Sequence, residues 1–232
     1  MDSGRKSGPT QGDRTPLSVA RIASCALALA DELGLESVSM RRLAERLGVE
    51  AMSLYYHVPS KAALLDAMAN ELGRELPDPP PDPWRDCLTA VGRAWRDLAR
   101  RHPGGFVLLA TRSTTGTALL ERGAILLDRL QSAGFSAPAS ARAITSFFTS
   151  LNGFLLAAGA PALLRDVPEI HADEAVLEAA GPSFASVPAE AWSLSTDASF
   201  EFHLAVVLDG LQAALERDAL RGLTGSAPVR AD

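Results

Sequence analysis

At 232 residues and 24.4 kDa, with 47% hydrophobic and 22% charged residues, the chain has the make-up of a globular protein with a well-buried core, which excludes wholesale disorder. Its long apolar stretch Leu151 to Leu164 is broken by Asn152, Gly153 and Pro161, short of the roughly 20 residues of a membrane span, and the polar start Met1-Asp2-Ser3-Gly4-Arg5-Lys6 is no secretory signal, so a cytoplasmic protein is expected. The net charge of −6 argues against a nucleic-acid partner only as a whole-chain average, because Arg41, Arg42, Arg46 and Lys61 outnumber Glu45 and Glu50 between residues 41 and 61.

In chain order, residues 1–16 have no apolar period and are expected to form a disordered arm. Val19, Ile22, Ala23, Ala26, Leu29, Ala30 and Leu33 then recur at helical spacing, and Gly34 closes that first helix. Ser60 is an N-cap for a helix running from Lys61 to about Arg74. Five prolines within residues 77–83 cannot continue a helix, which predicts a stiff linker and a domain boundary. Beyond it Trp84, Leu88, Val91, Trp95 and Leu98 resume the helical period until Arg100, Arg101 and His102 meet Pro103, read as a stop. Helices follow near 117–133, 138–159 and 197–220, with a long, broken connection over 162–196 and a disordered tail at 222–232. No strand pattern interrupts them, so the expected class is all-α, with a domain at 17–76 and a second at 84–221.

Two cysteines, Cys25 and Cys87, provide neither a disulfide framework nor a zinc ligand set, and no metal or cofactor is expected. The chain carries no Gly-x-Ser-x-Gly, P-loop, dinucleotide glycine fingerprint or His-Glu-x-x-His, and His57, His102, His171 and His203 lie far apart, so no catalytic residues are assigned. A helical enzyme or a protein-interaction module without DNA binding stands as the alternative class.

Residues Met40 to His57 have the spacing of a helix-turn-helix. Ala44 and Gly48, four apart, supply the small contact and the positive-φ turn that two steeply crossed helices need, over a small core of Leu43, Leu47, Val49 and Leu54. The second helix would turn Ala51, Met52, Ser53, Tyr55, Tyr56 and His57 outward. Such side chains suit a DNA groove, where hydroxyl and imidazole groups reach phosphates and base edges. The N-terminus of the next helix with Lys61 makes a phosphate clamp beside it.

Leu17 to Leu72 resembles the DNA-binding domain of the TetR family of bacterial repressors, in its tetracycline-repressor branch. Gly34 to Ala44 and Leu54-Tyr55-Tyr56-His57-Val58-Pro59-Ser60-Lys61 carry the likeness. The resemblance implies a homodimeric regulator whose N-terminal helices bind double-stranded operator DNA and whose helical body binds a small-molecule effector. It also implies DNA contacts from Arg41, Ser53, Tyr55, His57 and Lys61, with Tyr55 and Lys61 as phosphate anchors; Ser39, Met40, Ala51, Met52 and Tyr56 complete the candidate DNA-binding set. Ala51 and Met52 depart from the branch's Gln-Pro pair, so the operator sequence need not be shared.

In the body, Ala141, Ile144, Phe148, Leu151, Leu155 and Ala158 form one heptad seam and Phe200, Leu204, Val207, Leu211 and Ala214 another. They predict a four-helix dimer interface built on Phe148, Leu151, Leu155, Leu204, Val207 and Leu211. Trp95, Phe106, Arg112, Phe147 and Asn152 are the candidate effector contacts, together with the region from Ile170 to Trp192. The branch's metal-binding imidazole falls on Leu108, which points to an organic, mostly apolar effector bound without a metal.

Overall fold

The structure is a computed structural model describing residues 16–81, 83–111, 117–163, 179, 181–187 and 192–224, and the described residues contain helices and no strands. The helices are α1 (Val19–Leu33), α2 (Met40–Leu47), α3 (Ala51–His57), α4 (Lys61–Glu75), α5 (Trp84–Arg101), α6 (Pro103–Thr111), α7 (Thr117–Ser132), α8 (Ala137–Leu163), α9 (Pro182–Ala185) and α10 (Asp197–Thr224), with a 3-10 turn at Leu35–Ser37.

Local chemistry sets the helix ends of the N-terminal part. Ser18, Ser39 and Ser60 each accept a bond from the backbone N–H three residues on, at 3.2, 3.3 and 3.1 Å. Each such cap stabilises its helix by about 1 kcal/mol. At the other ends Gly34 (φ 88) stops α1 and Gly48 (φ 67) sits in the left-handed region after α2, where a β-carbon would be strained. α2 and α3 then cross over buried Leu43, Ala44 and Leu54, as the helix-turn-helix spacing predicts. Burying a leucine fully is worth about 1.5–3 kcal/mol.

α5 ends at Arg101, as the stop at Pro103 predicts, and Pro103 itself then begins a further helix, α6. Proline lacks only an N–H that a first-turn residue leaves unbonded, and its φ suits the helix start. α6 is apolar almost all round, and Gly104, Gly105, Phe106, Leu108 and Leu109 are buried where it meets α1, α4, α5 and α8. One continuous core therefore runs from Ile22, Leu43 and Leu72 at one end to Trp95, Phe147 and Phe200 at the other. The start of α6 presses directly on α1, for a β-carbon on Gly104 would lie 2.0 Å from the Ala30 carbonyl oxygen. Asp31, at the end of α1, accepts from the N–H groups of both Gly104 and Gly105 at 3.0 Å. Its other oxygen lies 2.7 Å from His102 Nδ1, while His102 Nε2 lies 3.1 Å from Glu75 of α4.

α10 lies along α5 and α8. Arg93 grips Glu201 through two bonds of 3.0 and 2.8 Å, Arg100 reaches Asp197 at 2.7 Å, and the Arg96 guanidinium stacks 4.2 Å above the Phe200 ring. α8 continues to Leu163, past the end expected at Gly159. The arm at 1–15, most of the connection at 162–196, including Ile170, and the tail from 225 lie outside the described residues.

Candidate nucleic-acid interface and ligand chamber

α3 projects an unusual set of side chains into solvent. Met52 is 77% and Tyr56 90% exposed, with Tyr55 and Ser53 exposed beside them. Tyr56 meets His57 edge-on with ring centroids 6.1 Å apart. Ala51 is half-buried against the core and offers the surface little beyond its methyl group.

On α2 the helix period separates the outward residues from the inward ones. Arg41 is exposed and pairs with Glu45 at only 3.8 Å, so its guanidinium remains available to a ligand. Ser39 is exposed but its hydroxyl already caps α2. Met40, expected among the DNA contacts, is a correction: its side chain is only 9% exposed and belongs to the core, because position 40 shares a helix face with Leu43 and Ala44. Arg46 is bound bidentately to Glu32 of α1, and Arg42 donates to the Ser37 carbonyl at 3.3 Å, so these two cations brace the fold.

Lys61 is already engaged within the fold. Its ammonium donates to the Val38 carbonyl, tying the start of α4 to the chain just before α2, and partial burial pulls its pKa below the ordinary lysine value. The group still stands at the exposed N-terminus of α4, beside α3.

The body contains a chamber of about 500 Å³ between α5, α7, α8 and the linker. Trp95 and Phe148 stack edge-on within its wall, their centroids 5.0 Å apart, and Ile144, Leu109 and Leu126 complete the apolar surface. Thr145, Thr149 and Asn152 lie along one side of α8 and bring polar atoms to it. Trp95 Nε1 donates to Asn152 Oδ1 at 2.8 Å, which leaves the Asn152 amide donors for another partner.

Two of the expected effector contacts, Trp95 and Asn152, therefore meet in the chamber wall. Phe106 and Phe147 are corrections: both are buried in the core and neither lines the chamber, Phe106 packing behind Trp95 with centroids 5.9 Å apart. Arg112 lies outside the described residues. Arg122, on α7, was not a sequence candidate, although an arginine among apolar residues of an amphipathic helix is the kind of signal that marks an inward cation. Leu108 is buried and does not line the chamber either.

The expected interface seams also need correction. Leu151 is 0% exposed, Leu155, Leu204 and Leu211 are buried, and Val207 packs against the core, while Phe148 lines the chamber. A single heptad stripe cannot say which neighbour it meets, and here α8 and α10 turn their stripes toward their own body. Among the described residues of α10, the large apolar side chains left exposed are Phe202 (74% exposed) and Val206, next to His203, which stacks on Phe154 at 4.5 Å and lies 3.2 Å from Ser150 Oγ. Burial holds the His203 pKa below the ordinary histidine value, opposed in part by a hydrogen bond to the Ser150 backbone.

Residues 22–68 match the family described as "Bacterial regulatory proteins, tetR family", and residues 76–215 match "Tetracyclin repressor-like, C-terminal domain". The chain is 31% identical over 229 residues to the HTH-type transcriptional repressor DrrR1 of Streptomyces coeruleorubidus, covering 91% of this chain and 82% of that one. It is also 31% identical over 234 residues to the class A tetracycline repressor protein of Escherichia coli, covering 91% and 97%. Among solved structures, the Streptomyces coelicolor TetR family protein ActR in complex with (S)-DNPA superposes with a TM-score of 0.71 at 25% identity, over 87% of this chain and all of that one. The exposed recognition helix, the helical body and these matches over both parts agree: the chain belongs to the TetR family of bacterial regulatory proteins and is a ligand-responsive, DNA-binding repressor.

Proposed function

We propose that residues 17–76 read DNA and residues 84–221 hold the effector and the dimer contacts, and that a homodimer sets one α3 in each half-site of a near-palindromic operator. The observation that carries this reading is the exposure of Met52, Tyr55 and Tyr56 on a helix anchored by the buried Leu54. Met52 supplies an apolar surface suited to thymine methyl groups, Ser53 and His57 hydrogen-bonding groups for base edges, and Arg41, Tyr55, Tyr56 and Lys61 contacts near the backbone. The twofold partner covers Phe202 and Val206, since an exposed phenylalanine beside a valine on one helix face is the kind of patch that marks an interface.

The effector is a small, mostly apolar organic molecule held between Trp95 and Phe148, with Asn152 and the two threonines as polar anchors. Its chamber lining supports binding without a metal, because the described lining residues include one carboxylate and no imidazole. ActR, with a similar fold, has also been solved with actinorhodin, which fits a body of this kind holding an organic ligand.

Selection of bound duplexes from a random pool tests the operator half of the proposal. It should return an inverted repeat whose half-sites are centred about one helical turn, roughly 34 Å, apart or at a related spacing. Enrichment of a single, non-repeated site would contradict it. Titrating that complex with tetracycline and magnesium tests the other half: release that EDTA abolishes is the result that overturns the metal-free reading.

A further inference from the structure

Among the described residues lining the chamber there are one cation and one carboxylate, and the two differ sharply in their surroundings. Arg122 keeps only 18% of its side chain exposed, whereas Asp78 in the linker keeps 83%, and they approach to 3.3 Å. A carboxylate so open to water neutralises a guanidinium weakly, while the enclosed guanidinium acts across a mostly apolar space in which its field is poorly screened. The chamber is therefore biased toward anions.

The same guanidinium fastens the end of the DNA-reading part. Arg122 Nη2 donates to the Leu76 carbonyl at 2.6 Å and Nε to the Pro77 carbonyl at 3.3 Å, while Nη1 bonds Ala118 within its own helix at 2.9 Å. Leu76 caps α4, whose last carbonyls have no partner within the helix and attract a cation. One side chain is thus both chamber wall and fastening of the helix on which α2 and α3 rest.

We infer that the effector bears a carboxylate or an equivalent ionised oxygen pair on its apolar frame, and that this group draws the Arg122 fork away from the carbonyls of Leu76 and Pro77. The inference rests on the chamber being the effector site. Peptide carbonyls are neutral acceptors, whereas a carboxylate meets a guanidinium through two parallel charge-assisted bonds roughly twice as strong as neutral ones. The exchange therefore favours the ligand. It leaves the end of α4 unfastened, and where the operator favours the fastened state, ligand and operator weaken each other's binding by one common factor.

The test uses the full chain, its selected operator and two flat probes of nearly equal shape, anthraquinone carboxylate and anthraquinone carboxamide. Binding is read by calorimetry and operator release by fluorescence anisotropy. The carboxylate should bind at least about tenfold more tightly than the amide, and it alone should release the operator. Arg122→Gln, which removes the fastening itself, should bind the operator more weakly from the outset, bind the two probes alike and show no further release with either, while Arg122→Lys, which keeps the charge, should keep the preference. Equal binding of the two probes, or release by the carboxylate from Arg122→Gln, overturns the inference and leaves the chamber as effector site intact. Binding of neither probe overturns the chamber reading beneath it as well.

Discussion

Lys61 and His203 show how much a single side chain's neighbours decide. Lys61 gives one of its three N–H donors to the Val38 carbonyl, and the proposed phosphate contact would use the other two. Lys61→Ala should weaken binding to every DNA sequence and flatten the dependence of log affinity on log salt by about one unit, as titration across salt would record. An unchanged slope with altered sequence preference would remove it from the phosphate contacts. Ser53→Ala or His57→Ala should cost about 1–3 kcal/mol, chiefly on the preferred site. His203 adds a pH dependence. Its folded pKa lies below the unfolded value, so its contribution to stability is complete above the ordinary histidine value of about 6.5 and is lost as pH falls through the lower folded value. Thermal melts should show this acid loss diminished in His203→Gln. The exposure of Arg41 is legible in the sequence, whereas the ion pair that occupies Arg46 is not, because Glu32 reaches it from another helix across fourteen residues.

At the scale of elements, α2 and α3 are legible because every signal that makes them is local: the Ser39 cap, the Gly48 turn, and a period that brings Leu43, Leu47 and Leu54 together. α6 is not. Pro103 marks the end of α5 and also begins α6, and with two poor helix formers next in sequence that second helix depends on the packing of Gly104 and Gly105 against α1. Gly104→Ala should destabilise the fold by about 1–3 kcal/mol or more, since backbone and not a flexible side chain stands in the way. A denaturation midpoint unchanged from the parent would mean that α6 does not press on α1. The seams of α8 and α10 carry the same lesson. Leu151→Asp should unfold the body, for it places a carboxylate in the core, whereas Phe202→Glu should leave helical content unchanged and yield a monomer by light scattering. Dimeric Phe202→Glu would move the interface elsewhere.

The whole molecule couples two surfaces through shared packing. Because a single core spans head and body, and because α4, the linker and α7 meet at Arg122, a change in the chamber has a physical route to α3. The proline run at 77–83 and the helical periods on either side of it are legible in the sequence, since both signals are local. The sequence does not reveal that the linker forms a chamber wall, which depends on an arginine forty-six residues away. The Asp31–His102–Glu75 joint is hidden for the same reason: its three residues come from three separate segments. The central claim, a dimer that reads two half-sites with α3, is tested most directly by hydroxyl-radical footprinting of the full chain on its selected operator. Two protected patches on one face of the duplex, about one helical turn apart, should appear and should both fade when Phe202→Glu dissociates the dimer. A single patch, or two patches that persist with the monomeric variant, would contradict the account.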